Sequence, residues 1–261
     1  MKRLYKAILV VCLLCAGSPA VRAGGPVSEY EQLLQKAEHL LSNYKDSEAL
    51  VLYEQVLELS PENYEALCKA SYLHCRIGDR FSNETTKINH FAKAKKYAQK
   101  AYALQPADAE ANYLMALSLG CEAMVSGAKQ RLVGIHEIKS FLDAALAANG
   151  QHAGAWHALG RWYYKMANLN IAEKAAAKIL FGGVCENATN EDAVAALEKA
   201  IAYDAGKIRY YYDLACVYED MKNKEACIST LKSALTIQLE TTEELELSRR
   251  CRIMLQKQQK L

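Results

Sequence analysis

Residues 155–164 read AWHALGRWYY. Two tryptophans, two tyrosines, a histidine, an arginine and a glycine in ten residues look like a reactive or binding site. The spacing says otherwise for half of them. Counting from Trp156, the residues Leu159, Gly160 and Tyr163 fall three, four and seven places on, which is one stripe of an α-helix. The same intervals return at Tyr211, Leu214, Ala215 and Tyr218. From Tyr211 the pattern continues 16, 20 and 23 places on with Cys227, Leu231 and Ala234.

This is the signature of a 34-residue helix–turn–helix unit, the tetratricopeptide repeat. Working outward, a first unit holds Leu33, Ala37 and Leu40, then Ala49, Tyr53, Val56 and Pro61, with Lys36 at one apolar offset. A second holds Leu67, Ala70, Ser71 and His74, then Ala94, Ala98, Ala101 and Pro106. A third holds Met115, Ala116 and Leu119, then Ile138, Leu142 and Ala145, with Asn112 where an aromatic residue or leucine is usual. Gly160 and Ala215 fall where the first helix of a pair meets the second, and Ala49, Ala94, Ala193 and Cys227 fall opposite them. Bulk at these places would push the helices apart. Pro61 and Pro106 stop the second helix, because proline lacks the donor that the next turn needs.

The fold class is therefore all-α, a helical-repeat superhelix of about five helix pairs. The pairs span 30–63, 64–108, 109–152, 153–207 and 208–241, so the array covers 30–241. The middle three exceed the plain repeat length, and the extra residues fall between the two helices of each pair. One insertion is RFSNETTKINHF (80–91), and another is ANLNIAEKAAAKILFGGVCENATN (167–190). The AEKAAAKIL core of the second predicts a short extra helix ended by Gly182-Gly183. Residues 242–261 predict a C-terminal capping helix, with Glu243, Glu244 and Glu246 at its start and Arg249, Arg250, Arg252, Lys257 and Lys260 toward its end. That order complements the helix dipole.

The chain begins MKRLYKAILVVCLLCAGSPAVRAGG, a basic head, an apolar run of 11 from Ala7 to Gly17, and small residues at Val21-Arg22-Ala23. That layout is a signal peptide over 1–23, followed by a short segment 24–29. It predicts an exported protein, periplasmic or secreted, of a bacterial cell envelope. The apolar run is too short to span a bilayer, which takes about 20 residues. Cys12 and Cys15 follow Val11 and Leu14 rather than the small residues that precede a lipid-modified cysteine. Removing 1–23 leaves 238 residues and takes the formal charge from +2 to −2. A near-neutral chain lacks the basic footprint of a nucleic-acid binder.

Seven cysteines remain: Cys68, Cys75, Cys121, Cys185, Cys216, Cys227 and Cys251, an odd number with no CxxC pair. Cys68 and Cys75 on one helix stand roughly 10.5 Å apart, too far for a bridge. These residues are either small apolar filler or part of a disulfide framework of an exported protein. The six histidines have no metal-ligand spacing, and no GxSxG, HExxH, phosphate loop or paired nucleophile and base occurs. The reading is of a non-enzyme with no cofactor and no metal.

LGRWYYKMANLNIAEKAAAKILFGG (159–183) followed by EDAVAALEKAIAYD (191–204) resembles the regulator of microtubule dynamics family. The matching elements are Leu159-Gly160-Arg161-Trp162, Glu173-Lys174 and Phe181-Gly182, and the likeness runs over roughly 60–240. The resemblance implies a tetratricopeptide-type array. Eukaryotic members include microtubule-associated proteins and an organelle-contact tether whose repeat domain binds phospholipid. The export-type start departs from those members, so microtubule binding is not carried over. Binding or transfer of a phospholipid or other amphiphile is, as an alternative to a protein-interaction scaffold.

One, five and eight places from each stripe origin, side chains face the concave surface of such a superhelix. These positions supply Tyr72, Tyr113, His157, Arg161, Tyr164 and Tyr212 as candidate binding residues, among leucines and Cys68, Cys75 and Cys216. Trp156, Leu159, Gly160, Tyr163, Tyr211, Leu214, Ala215, Tyr218, Ala49, Tyr53, Pro61 and Pro106 are assigned to structure. The concave surface either binds an unidentified protein, peptide or lipid, or is core beneath the insertions. Trp162 fits neither stripe. KINHFAKAKKYAQK (87–100) carries five lysines and no acid, reading as an anion-facing patch or a solvated helix face. Asn83 and Asn187 lie in NxT sequons.

Overall fold

A computed structural model describes residues 28–181 and 188–260. The signal-like segment 1–23, Gly182-Gly183, Cys185 and Asn187 lie outside the described residues. Among those described, the regular structure is α-helical throughout.

Five antiparallel pairs follow one another. They are α1 (Glu29–Ser42) with α2 (Asp46–Leu59), α3 (Tyr64–Arg80) with α4 (Glu84–Leu104), and α5 (Ala109–Val125) with α6 (Ala128–Ala148). Then α7 (Ala153–Ala167) pairs with α9 (Asn190–Tyr203), and α10 (Ile208–Asp220) with α11 (Lys224–Ala234). The helix α8 (Ile171–Phe181) stands between the members of the fourth pair, and α12 (Thr242–Lys260) ends the chain. The result is a tetratricopeptide-type superhelix.

Local chemistry sets the ends of these helices. The side chains of Asn63, Asn83, Asp108, Thr189 and Asn223 accept backbone N–H bonds at the starts of α3, α4, α5, α9 and α11. Such caps are worth about 1 kcal/mol each. Pro61 and Pro106 follow the ends of α2 and α4 by two residues. The 80–91 insertion is not a loop. Only 81–83 link α3 to α4, and the extra residues lengthen the helices to 17 and 21, against 14 and 14 in the first pair. The third pair is lengthened in the same way, again to 17 and 21.

The pairs close on small side chains. Ala49, Ala94, Ala193, Ala215 and Cys227 have no exposed surface. At Gly160 a Cβ would stand 2.6 Å from the Leu197 Cγ and 3.1 Å from the Ala193 carbonyl oxygen, both on α9. The carbonyl belongs to a helix backbone and cannot rotate aside, so only glycine lets α7 and α9 approach this closely. Leu159, Leu214 and Tyr53 are buried, while Trp156, Tyr163, Tyr211 and Tyr218 are half-buried. Trp156 donates its indole N–H to the Gly150 carbonyl at 2.8 Å, with the Lys199 ammonium 4.0 Å from its ring centre.

Asn112 at an apolar repeat position is explained by its hydrogen bonds. It is buried, and its amide donates to the carbonyls of Pro106 and Asp108 at 2.9 and 2.7 Å, tying α5 to the turn before it. Trp162 also finds its place. It is 7% exposed, packs with Ile135, Leu142 and Met166, and donates its indole N–H to the Ile135 carbonyl at 2.9 Å. It fastens α7 to α6.

Candidate functional site

The candidate binding residues lie on α3, α5, α7 and α10, the first helices of the second to fifth pairs, which line the inner face of such a superhelix. His157 is nearly buried. Its Nε2 lies 2.7 Å from a carboxylate oxygen of Asp213 on α10, and its ring stacks on Tyr210 at 4.5 Å. Burial holds the imidazole pKa below its usual value, although Asp213 pulls it up. Burial would raise the Asp213 carboxyl, but the His157 hydrogen bond and the charges of His157, Arg161 and Arg209 outweigh it and hold that pKa low. The pair is an imidazole N–H donating to a carboxylate.

One turn on, Arg161 stays in solvent, its side chain 56% exposed with Nε 3.8 Å from Asp213. Tyr164 is half-buried and donates its hydroxyl to Asp220. Beside these residues is a cavity of about 630 Å³ between α5, α6, α7 and α10. Leu117, Met124, Ile138 and Val217 contribute apolar walls, Arg131, Arg161 and Lys165 contribute cations, and Asp213 contributes an anion, with Lys165 paired to Glu173 at 3.0 Å. The Arg131 Nε is buried there without a partner among the described residues, while its guanidinium also donates to the Ser126 carbonyl at 3.1 Å. A volume of this size lies within the range of ligand pockets, and its plan is theirs: apolar walls with a few placed polar groups.

The other candidate residues lie apart from this cavity. Tyr72 packs on the core of the first two repeats. Tyr113 packs against His152, and its ring carbon and hydroxyl stand 3.0 and 3.1 Å from where a Cβ on Gly154 would be. Its hydroxyl pKa is raised by burial and by the neighbouring hydroxyls of Tyr72 and Tyr210, which brings together side chains from α3, α5 and α10. Tyr212 lies with Cys216 and Arg250, toward α12. The structure thus groups His157, Arg161 and Tyr164 at one site and spreads the tyrosines along the rest of the inner face.

Asp213, Tyr210 and Arg131 belong to the site and are not among the sequence-derived candidates. Asp213 lies two places from the repeat origin rather than one or five. Arg131 lies on a lengthened α6 outside the repeat pattern. The signal that could have found Asp213 is the single acid among the apolar and aromatic residues of YYYDLACV (210–217).

The basic stretch is largely neutralised. Lys87, Lys93 and Lys95 pair with Asp79, Glu54 and Glu122 on neighbouring helices. The described cysteines are free thiols. Burial pushes the Cys216 thiol, which lines the cavity, up to about 12, so it carries no thiolate near neutrality. Among the described residues, no group of three or more His, Cys, Asp or Glu side chains could hold a metal ion, and no helix is long and apolar enough to cross a membrane.

Fold and inner face together define a tetratricopeptide-repeat protein. A tetratricopeptide-repeat protein of Thermus thermophilus has the same fold, with a TM-score of 0.63 at 18% identity over 87% of this chain and 98% of that one. Residues 33–259 match the family described as regulator of microtubule dynamics protein 1-3, and the chain belongs to that family. It is 25% identical to regulator of microtubule dynamics protein 1 of Bos taurus over 70% of this chain and 57% of the bovine protein. The protein of the same name in Caenorhabditis elegans is 23% identical over 75% of this chain and 88% of its own length. The chain thus matches little more than half of the bovine relative.

Proposed function

We propose that the chain is a non-catalytic scaffold that holds a partner polypeptide on its inner face, with an apolar side chain seated in the α5–α7–α10 cavity and a carboxylate beside Arg161. The observation that supports this is the cavity itself, apolar in its walls, with Arg131 and the solvent-reaching Arg161 beside it. The layout of residues 1–23 favours export to a cell envelope as the place where this happens. A photo-crosslinking residue at Met124, which is exposed and lines the cavity, tests the reading in native cells. A discrete protein adduct that weakens with Arg161→Ala supports it. No protein adduct above background contradicts it.

The same cavity favours one second reading, an amphiphile with an apolar tail in the cavity and an anionic group on the arginines. Native mass spectrometry of gently purified protein distinguishes it. A bound mass of a few hundred daltons supports the amphiphile. A clean apo mass, with no binding to anionic vesicles, counts against it.

A further inference from the structure

One ion pair reaches across the superhelix. Arg80, the last residue of α3, pairs with Asp46 at the start of α2 and with Glu243 in the first turn of α12. One guanidinium therefore joins the first helix pair, the second pair and the helix that follows the fifth. The hydroxyls of Tyr72 on α3 and Tyr210 on α10 are also near enough to influence each other.

The two halves of this junction are unlike. Asp46 is buried, and one of its carboxylate oxygens receives both Arg80 and the Arg76 Nε at 3.1 Å. That side is fixed, and it holds the Arg80 side chain in place. Glu243 is about a third exposed. Its neighbour Glu244 is used to cap α12, accepting the backbone N–H groups of Glu240 and Thr241 at 2.9 and 3.1 Å. Glu243 takes no part in that cap. The apolar packing of α12 is onto α10 and α11, through Leu247 and Cys251.

We propose that the Arg80–Glu243 ion pair is a latch that holds α12 and α10 toward α3 and restricts entry to the inner face. A solvent-reachable pair of this kind shifts a closed–open balance by up to about fivefold. Screening adjusts it, since the Debye length falls from about 10 Å at 0.1 M salt to about 3 Å at 1 M. The latch is thus weak enough to be displaced by a partner entering the inner face, and Arg80 remains pre-oriented by Asp46 for reclosure.

The test uses the full chain and does not depend on which partner binds. Glu243→Gln removes the latch without disturbing buried Asp46, as a change at Arg80 would. Thiol alkylation at alkaline pH, where raised thiols react, followed by peptide mass mapping reads inner-face access through half-buried Cys216 on α10, with fully buried Cys227 and Cys251 as internal controls. At low salt, the variant should label at Cys216 up to about fivefold faster than wild type, with the controls unchanged. At 1 M salt the two proteins should converge. Glu243→Lys should act in the same direction and more strongly. Equal rates at low salt overturn the proposal. So does a rise at Cys216, Cys227 and Cys251 together, which would make Glu243 a general stabiliser of the last repeats.

Discussion

Helix α7 has two seams that share ten residues of sequence and follow different rules. Toward α9, Gly160 lies under Leu197 and the Ala193 carbonyl, with no room for a single added carbon. Toward α10, His157 and Asp213 meet through a hydrogen bond, Arg161 remains in solvent, and a cavity opens alongside. The first seam is fixed by volume and the second by pairing of polar groups across a gap. A helix can therefore be rigid scaffold on one side and adaptable surface on the other, provided that the packing side alone carries its stability.

The largest break in this contrast is Gly160→Leu. Overpacking typically costs about 1–3 kcal/mol and occasionally more, and the obstruction here includes backbone. Urea unfolding should show a loss at or above the top of that range.

A buried polar group inside a packing seam should come next. His74, between α2 and α4, is 1% exposed, and burial lowers its pKa to about 4 from 6.5. His90 and Lys93 reinforce the shift, while Glu54 opposes it. Between those pH values the unfolded chain takes up a proton that the folded chain refuses, so stability falls as pH drops from 6.5 toward 4. The loss is at most about 3 kcal/mol, at about 1.4 kcal/mol per unit. Denaturation midpoints across this range should show the slope, and His74→Asn should flatten it.

On the α10 side, Asp213→Ala leaves the His157 N–H without its acceptor and should cost about 1–3 kcal/mol. Asp213→Asn, which keeps an acceptor, should cost less in the same thermal melts. Smallest of all on stability are Arg161→Ala and Tyr164→Ala, which should stay within about 0.5–1 kcal/mol. Their effect should appear in the yield of the Met124 crosslink instead.

The sequence makes one seam legible and not the other. Trp156, Leu159, Gly160 and Tyr163 recur at helical intervals because packing against a partner helix imposes that period. Asp213 is invisible to such a count, because its role depends on His157, 56 residues away. Trp162 fits no stripe for the same reason, since its partner is a carbonyl on α6, 27 residues back. The 80–91 segment reads as an insertion because the repeat template has fixed helix lengths, whereas α3 and α4 absorb the extra residues by growing longer. The junction at Arg80 joins residues 163 positions apart, and no local pattern announces it.

The central claim, that the inner face of α7 is separable from its packing, is tested most directly by equilibrium unfolding of the Arg161→Ala/Tyr164→Ala double variant beside Gly160→Leu. The double variant should unfold within about 1 kcal/mol of wild type while Gly160→Leu loses several times more. A double variant that falls as far as Gly160→Leu would make the inner face part of the core and contradict the account.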